Sequence, residues 1–183
     1  QADYDRLPKT FANFPARSDT ARSGQRVGVF AIPAFYSQFL GAPQLPISDA
    51  DWLQIPEEFL ATAVNGEVFE DPLGEFSRIR AVLQNYYPDS LRRRKIASGV
   101  AKMAQSGQYN LPRALLRNEM PTALMAQAEF IKQTCSVVHA LNRRYTPIYK
   151  WLHRGLQGMP VLGGLYDKIA RLSQLPASEA PVL

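Results

Sequence analysis

Four short stretches of this chain carry side chains whose types and spacing could do chemistry. The first is Ser48-Asp49-Ala50-Asp51. Two carboxylates two residues apart on a strand can hold a magnesium ion against a triphosphate. That arrangement needs a Gly-Ser turn opening a helix just before the pair, and here Leu40-Gly41-Ala42-Pro43 stand there instead. Ser48 and Asp51 precede Trp52-Leu53 and read as a helix N-cap. The second stretch runs from Asn65-Gly66-Glu67 through Val68-Phe69 to Glu70-Asp71. Asn-Gly marks a turn, and the three carboxylates can crowd into a metal site or an acid–base pair. Asp71 is explained equally well as the cap of a helix starting at Pro72, where the helix dipole favours negative charge. Capping leaves Glu67 unexplained, so Glu67 and Asp71 stand as candidate acceptor or acid–base residues.

The third stretch is Gln108-Tyr109-Asn110-Leu111-Pro112-Arg113, with Arg117 beyond it. The spacing puts Asn110 and Arg113 at the mouth of a helix after Gly107, and a helix N-terminus is a ready anion site. Asn110 as a plain cap, with Arg113 in water, is the competing reading. The fourth stretch, Asn142-Arg143-Arg144-Tyr145-Thr146-Pro147-Ile148-Tyr149-Lys150-Trp151, gathers cations and aromatic rings at one helix junction. Basic groups can grip phosphates while an aromatic face stacks on a base. Trp151 reads as core, whereas Lys150 and Arg144 are harder to explain by packing.

Other chemistries find no support. No Gly-rich loop ends in Gly-Lys-Ser/Thr, so there is no P-loop. No Ser or Cys has a convincing His and acid partner. His139 and His153 stand with the single Cys135 in no metal-ligand spacing, and neither has an Arg upstream at the distance a helical ribonuclease would need.

The elements that must position these residues are helices. The 183 residues fit one domain with an appended segment, with hydrophobic content of 46% and charged content of 20%. The lone cysteine suits a reducing cytoplasmic setting, and neither a membrane span nor a signal segment is visible. The net charge of +5 is clustered in Arg92-Arg93-Arg94-Lys95 and in Arg143, Arg144, Lys150 and Arg154. Residues 1–47, rich in Pro and Gly, read as an extended segment linking to a domain outside the chain. Within it, 17–24 reads as a loop, 27–32 as a short strand and 33–40 as a helix.

From Ser48 the punctuation is helical, with Pro at starts and Gly past ends. Helices are expected from Pro56, from Pro72 with Leu73, Phe76, Ile79, Leu83 and Tyr86 as the apolar face, and from Asp89 to about Ser106, stopped by Gly107. Another covers 111–118. A long buried helix follows Pro121 with Leu124, Ala128, Ile131, Cys135, Val138 and Leu141 inward, then one after Thr146-Pro147 and a last one with Leu162, Leu165, Ile169 and Leu172. The expected fold is all-α: an orthogonal or up-down bundle of six to seven helices over 48–175, with a frayed tail at 176–183.

The fourth stretch also carries a resemblance. Together with Asp49-Ala50-Asp51-Trp52-Leu53, the Asn65-Gly66-Glu67-Val68-Phe69 block with Asp71 and Gly74, Tyr87-Pro88 and Leu7-Pro8-Lys9, it resembles a bacterial domain-of-unknown-function family that follows a nucleotidyltransferase domain in the same chain. The resemblance covers residues 5–160 in scattered blocks. It implies a C-terminal helical domain that closes the cleft of a transferase, helps bind the second substrate, and gives a Lys or Arg to the triphosphate. Lys150, with Arg144 and Tyr149, falls in the family's best block and takes that role here. Mg2+ and a nucleoside triphosphate are then implied only with the partner transferase domain, whose catalytic carboxylates have no counterpart in this sequence. The start at Gln1 without Met fits a fragment or processed chain. Two further readings stand beside this one. One is a stand-alone basic helical module for RNA or a partner protein, centred on Arg92 to Lys95. The other is an independent enzyme using Glu67, Asp71, Asn110 and Arg113.

Overall fold

The computed structural model describes residues 30–42 and 45–174, and the backbone of residues 10–11 and 14–15. The fold is all-α. The only strands among the described residues are β1 (Thr10–Phe11) and β2 (Phe14–Pro15), an antiparallel pair with Phe11 opposite Phe14. The loop expected at 17–24, most of the strand expected at 27–32, and Leu7-Pro8-Lys9 lie outside the described residues. Ile32 itself opens a helix rather than ending a strand.

The helices are α1 (Ile32–Leu40), α2 (Asp49–Gln54), α3 (Glu57–Ala63), α4 (Glu75–Gln84) and α5 (Asp89–Met103). A π-helical turn (Ala104–Asn110) then leads into α6 (Leu111–Leu116), followed by α7 (Met120–Leu141), α8 (Tyr149–Leu152) and α9 (Leu165–Gln174). Over 48–175 these are the seven expected helices with one added, because the Ser48 cap opens a short helix, α2, of its own.

Gly107 does not stop α5. The helix continues through the π turn into α6, and Gly107 is buried where an added Cβ would stand 2.7 Å from the Phe130 ring. Packing against α7 thus outweighs the conformational cost of the glycine. Pro112 has no N–H to give an i→i−4 bond and its ring crowds the preceding turn, which accounts for the wide geometry just before it. Gly99 meets Val137 in the same way as Gly107 meets Phe130. One partner number falls as the other rises, so α5 and α7 run antiparallel.

The inward face of α7 differs from the expected one. Leu124 is 56% exposed and Ala128 is exposed too, while Ala123, Ala126, Gln127, Thr134, Cys135 and Val138 are buried. The departure is confined to the first half of the helix, where Ala123, Ala126 and Gln127 take the inward positions; Cys135 and Val138 are buried as expected. The first apolar cluster joins α1 to α4 through Tyr36, Trp52, Leu60, Leu83, Tyr86, Tyr87 and Tyr145. The second sits between α6 and α7, and the third between α7, α8 and α9 around Cys135, Leu152, Leu156 and Ile169.

Candidate functional site

The acidic motifs resolve first. Ser48 Oγ accepts from the Asp51 N–H at 3.2 Å and Asp51 Oδ2 accepts from the Ser48 N–H at 2.8 Å, a complete capping box for α2. These backbone bonds, with that from Ile47, hold the Asp51 carboxyl below the usual carboxylate range. The helix expected from Pro72 starts at Glu75. Pro72 and Leu73 form a turn that leaves Leu73 89% exposed, and Gly74 takes a left-handed φ of 67° at the cap. Asp71 still serves α4, accepting from the Ser77 N–H at 2.7 Å, and that bond leads in lowering its pKa. Glu67 lies exposed in the 65–70 loop beside Phe69, which is 94% exposed. Arg80 pins the start of that loop by donating to the carbonyls of Val64, Asn65 and Gly66. Among the described residues no three His, Cys, Asp or Glu side chains group to hold a metal ion.

Asn110 and Arg113 do not sit at a helix mouth. The π turn and α6 are continuous there, so the backbone N–H groups an anion would need are already spent inside the helix. Arg113 lies over the exposed Tyr109 ring at 4.4 Å. None of Glu67, Asp71, Asn110 or Arg113 lines either of the two large grooves.

Residues 145–148 are shared between those grooves: Thr146 lines the first, Tyr145 the second, and Pro147 and Ile148 both. The chain is held there by three bonds. The Tyr145 hydroxyl donates to the Leu83 carbonyl at 2.7 Å, and the Thr146 N–H donates to Glu57 Oε1 at 2.9 Å. Glu57 Oε2 in turn pairs with Lys95 Nζ at 2.9 Å. Glu57 opens α3, 89 positions from Thr146. As an acidic residue in a first turn it looked like ordinary dipole compensation, and nothing local in the sequence announces its distant partner.

The second groove encloses about 970 Å³. Arg144 and Arg143 enter from the end of α7, Lys150 and Trp151 from α8, and Arg154 from the following 3-10 turn (Arg154–Leu156). Trp151 is 50% exposed, not core as expected; Leu152 and Leu156 take the buried positions. Arg154 and Lys150 flank its ring at 5.6 and 6.0 Å. His139 forms part of the floor. It is buried, its Nδ1 donates to the Cys135 carbonyl at 2.9 Å, and burial holds its pKa below the usual range. Gly155 covers it closely enough that a Cβ would meet Nε2 at 2.7 Å.

Tyr149 parts company with Lys150. It is 87% exposed and faces the first groove, of about 680 Å³, while Lys150 faces the second. The run from Arg92 to Lys95 is likewise divided. Arg92 and Arg93 both pair with Asp89, which also accepts from Arg143 at 3.4 Å; Arg94 and Lys95 line the first groove.

A helical domain with two basic grooves astride one pinned segment is thus the class of protein that fold and geometry define. The chain belongs to the family described as a domain of unknown function, DUF4037, whose model matches residues 52–152, over half of its length. The match takes in Glu67, Asp71, Asn110, Arg113, Arg144, Tyr149 and Lys150, whereas Ser48, Asp49, Asp51 and Arg154 lie outside it. No curated protein and no solved structure matches the chain. No helix among the described residues is long and apolar enough to cross a membrane.

Proposed function

We propose that this chain is the C-terminal helical domain of a nucleotidyltransferase-like enzyme, forming the lid and acceptor-substrate side of a nucleotide-binding cleft. The observation that carries the reading is the second groove, where Lys150 and Arg154 flank the half-exposed Trp151 ring and Arg144 lines the same wall space. Guanidinium and ammonium groups bind phosphate oxygens by charge-assisted hydrogen bonds, and an indole face stacks on a base regardless of its identity. The reaction in such an enzyme is attack of an acceptor hydroxyl on the α-phosphate of a nucleoside triphosphate. Positive groups fixed around the phosphates then stabilise the charge that develops. Mg2+ and the carboxylates that hold it would belong to the partner transferase domain. The alternative, a stand-alone module for RNA or a protein, leans on Arg92 to Lys95. Asp89 compensates two of those charges and Glu57 a third, so the run presents less net charge than its sequence suggests.

The test is calorimetric titration of the chain with ATP, with and without Mg2+. Arg144→Ala with Lys150→Ala should weaken binding at least tenfold while leaving the unfolding midpoint in place, because both side chains are exposed. Equal affinity in the wild type and the double variant, or no binding by the wild type, would overturn the reading.

A further inference from the structure

The first groove is built from different residues and calls for a different ligand. Its walls are α5 and α7, brought close where Gly99 lies against Val137. Arg94, Ser98 and Lys102 succeed one another on α5 at four-residue steps and so share one face of that helix. Lys132, Gln133 and Ser136 face them from antiparallel α7. At 1.5 Å of rise per residue, the eight positions from Arg94 to Lys102 extend about 12 Å. That is a cationic ladder with the hydroxyl donors of Ser98 and Ser136 between its rungs.

The charges within the ladder are largely uncompensated. Lys95 is taken by Glu57, and Glu58 also stands at that end. Among the described residues, Arg94, Lys102 and Lys132 have no carboxylate within salt-bridge distance, and the hydroxyls of Ser98 and Ser136 make no hydrogen bond. Gln133 donates to Glu129 on its own helix at 2.7 Å, which leaves its carbonyl end and the two serines facing the groove. Like charges drawn together along two packed helices repel one another, and an anion between them removes that repulsion.

We propose that this groove is a binding site for a small polyphosphorylated molecule, its phosphates spaced along Arg94, Lys102 and Lys132. Lys and Arg together with hydroxyl donors match phosphate oxygens. The carboxylates of Glu57 and Glu58 close one end to anions and set the ligand toward Lys102 and Lys132. A groove of about 680 Å³ with a basic stretch near 12 Å long accommodates a chain of two or three phosphates.

The site stands apart from the nucleotide reading, since none of its phosphate-binding residues lines the second groove. The probe is inorganic tripolyphosphate, titrated calorimetrically into the chain at two salt concentrations. Lys102→Gln with Lys132→Gln should weaken binding at least tenfold and flatten its salt dependence, while Lys102→Arg with Lys132→Arg retains it. In a chain already carrying Arg144→Gln and Lys150→Gln, which removes the phosphate grip proposed for the second groove, tripolyphosphate should still bind and should still lose that binding on Lys102→Gln with Lys132→Gln. Coincident thermal midpoints of these exposed-site variants exclude a folding effect. Absence of tripolyphosphate binding, or its loss only in the Arg144/Lys150 variant, overturns the inference. So does binding of a ten-nucleotide single-stranded RNA, lost on the Lys102/Lys132 substitution, by a chain that ignores tripolyphosphate, since that would make the groove a nucleic-acid surface.

Discussion

Substituting Glu57 separates its hydrogen bond to residues 145–148 from its ion pair with Lys95. Glu57→Ala removes the acceptor of the Thr146 N–H and the partner of Lys95 together. A hydrogen bond to a charged group contributes about 1.5–3 kcal/mol. The Lys95 pair, with side chains 29% and 16% exposed, adds up to about 1 kcal/mol once solvent screening is allowed for. Alanine should therefore cost about 2–4 kcal/mol. Glu57→Gln keeps an oxygen for the Thr146 N–H and loses only the ion pair and the favourable charge at the start of α3, about 1 kcal/mol. For a domain of this size each kcal/mol moves the thermal midpoint by about 2–4 °C. The alanine variant should then melt about 4–16 °C lower and the glutamine variant about 2–4 °C lower. Differential scanning calorimetry measures both. Amide exchange at Thr146 should accelerate in the alanine variant and stay slow in the glutamine variant, because only the former frees that N–H. Equal losses for the two substitutions, or an unchanged Thr146 amide in Glu57→Ala, would show that residues 145–148 are held without the Glu57 bond, by packing and the Tyr145 hydroxyl.

Two other perturbations probe the scaffold. Gly99→Ala places a Cβ 2.5 Å from Val137 Cγ2, a stiff β-branched side chain, so overpacking of about 1–3 kcal/mol should exceed the gain of up to about 1 kcal/mol in helix propensity. Gly164→Ala, with nothing within 4 Å of its Cβ position, should be neutral, and denaturant titration of both variants measures the difference. His139 gives a pH dependence. Its folded pKa lies below its unfolded value, so the unfolded chain takes up the proton first as pH falls. The stabilisation is complete above about pH 6.5 and is lost progressively below it, well before the capping carboxylates Asp51 and Asp71 are protonated. A pH series of unfolding midpoints between 7.5 and 5 should show this decline. His139→Gln should flatten it.

The sequence by itself determined the helical class and most of the punctuation. Ser48 with Asp51, Pro56 before Glu57 and Pro121 early in the long helix are decisions taken over three or four residues, so local chemistry suffices to read them. The cation-rich junction at 142–151 was legible for the same reason, being contiguous. The rest depended on contacts between distant residues. Gly107 reads as a stop, and only the Phe130 ring against its bare backbone turns it into a packing site. Trp151 reads as core until Leu152 and Leu156 fill the space behind it. Lys102 and Lys132 carry no signal in their own neighbourhoods; antiparallel packing of α5 on α7 brings them to one groove. Glu57 meets Thr146 and Lys95 only because α3, α5 and residues 145–148 converge. Capping and periodicity are properties of a few successive residues, whereas a groove belongs to the surfaces between elements, and its residues are chosen when those elements pack.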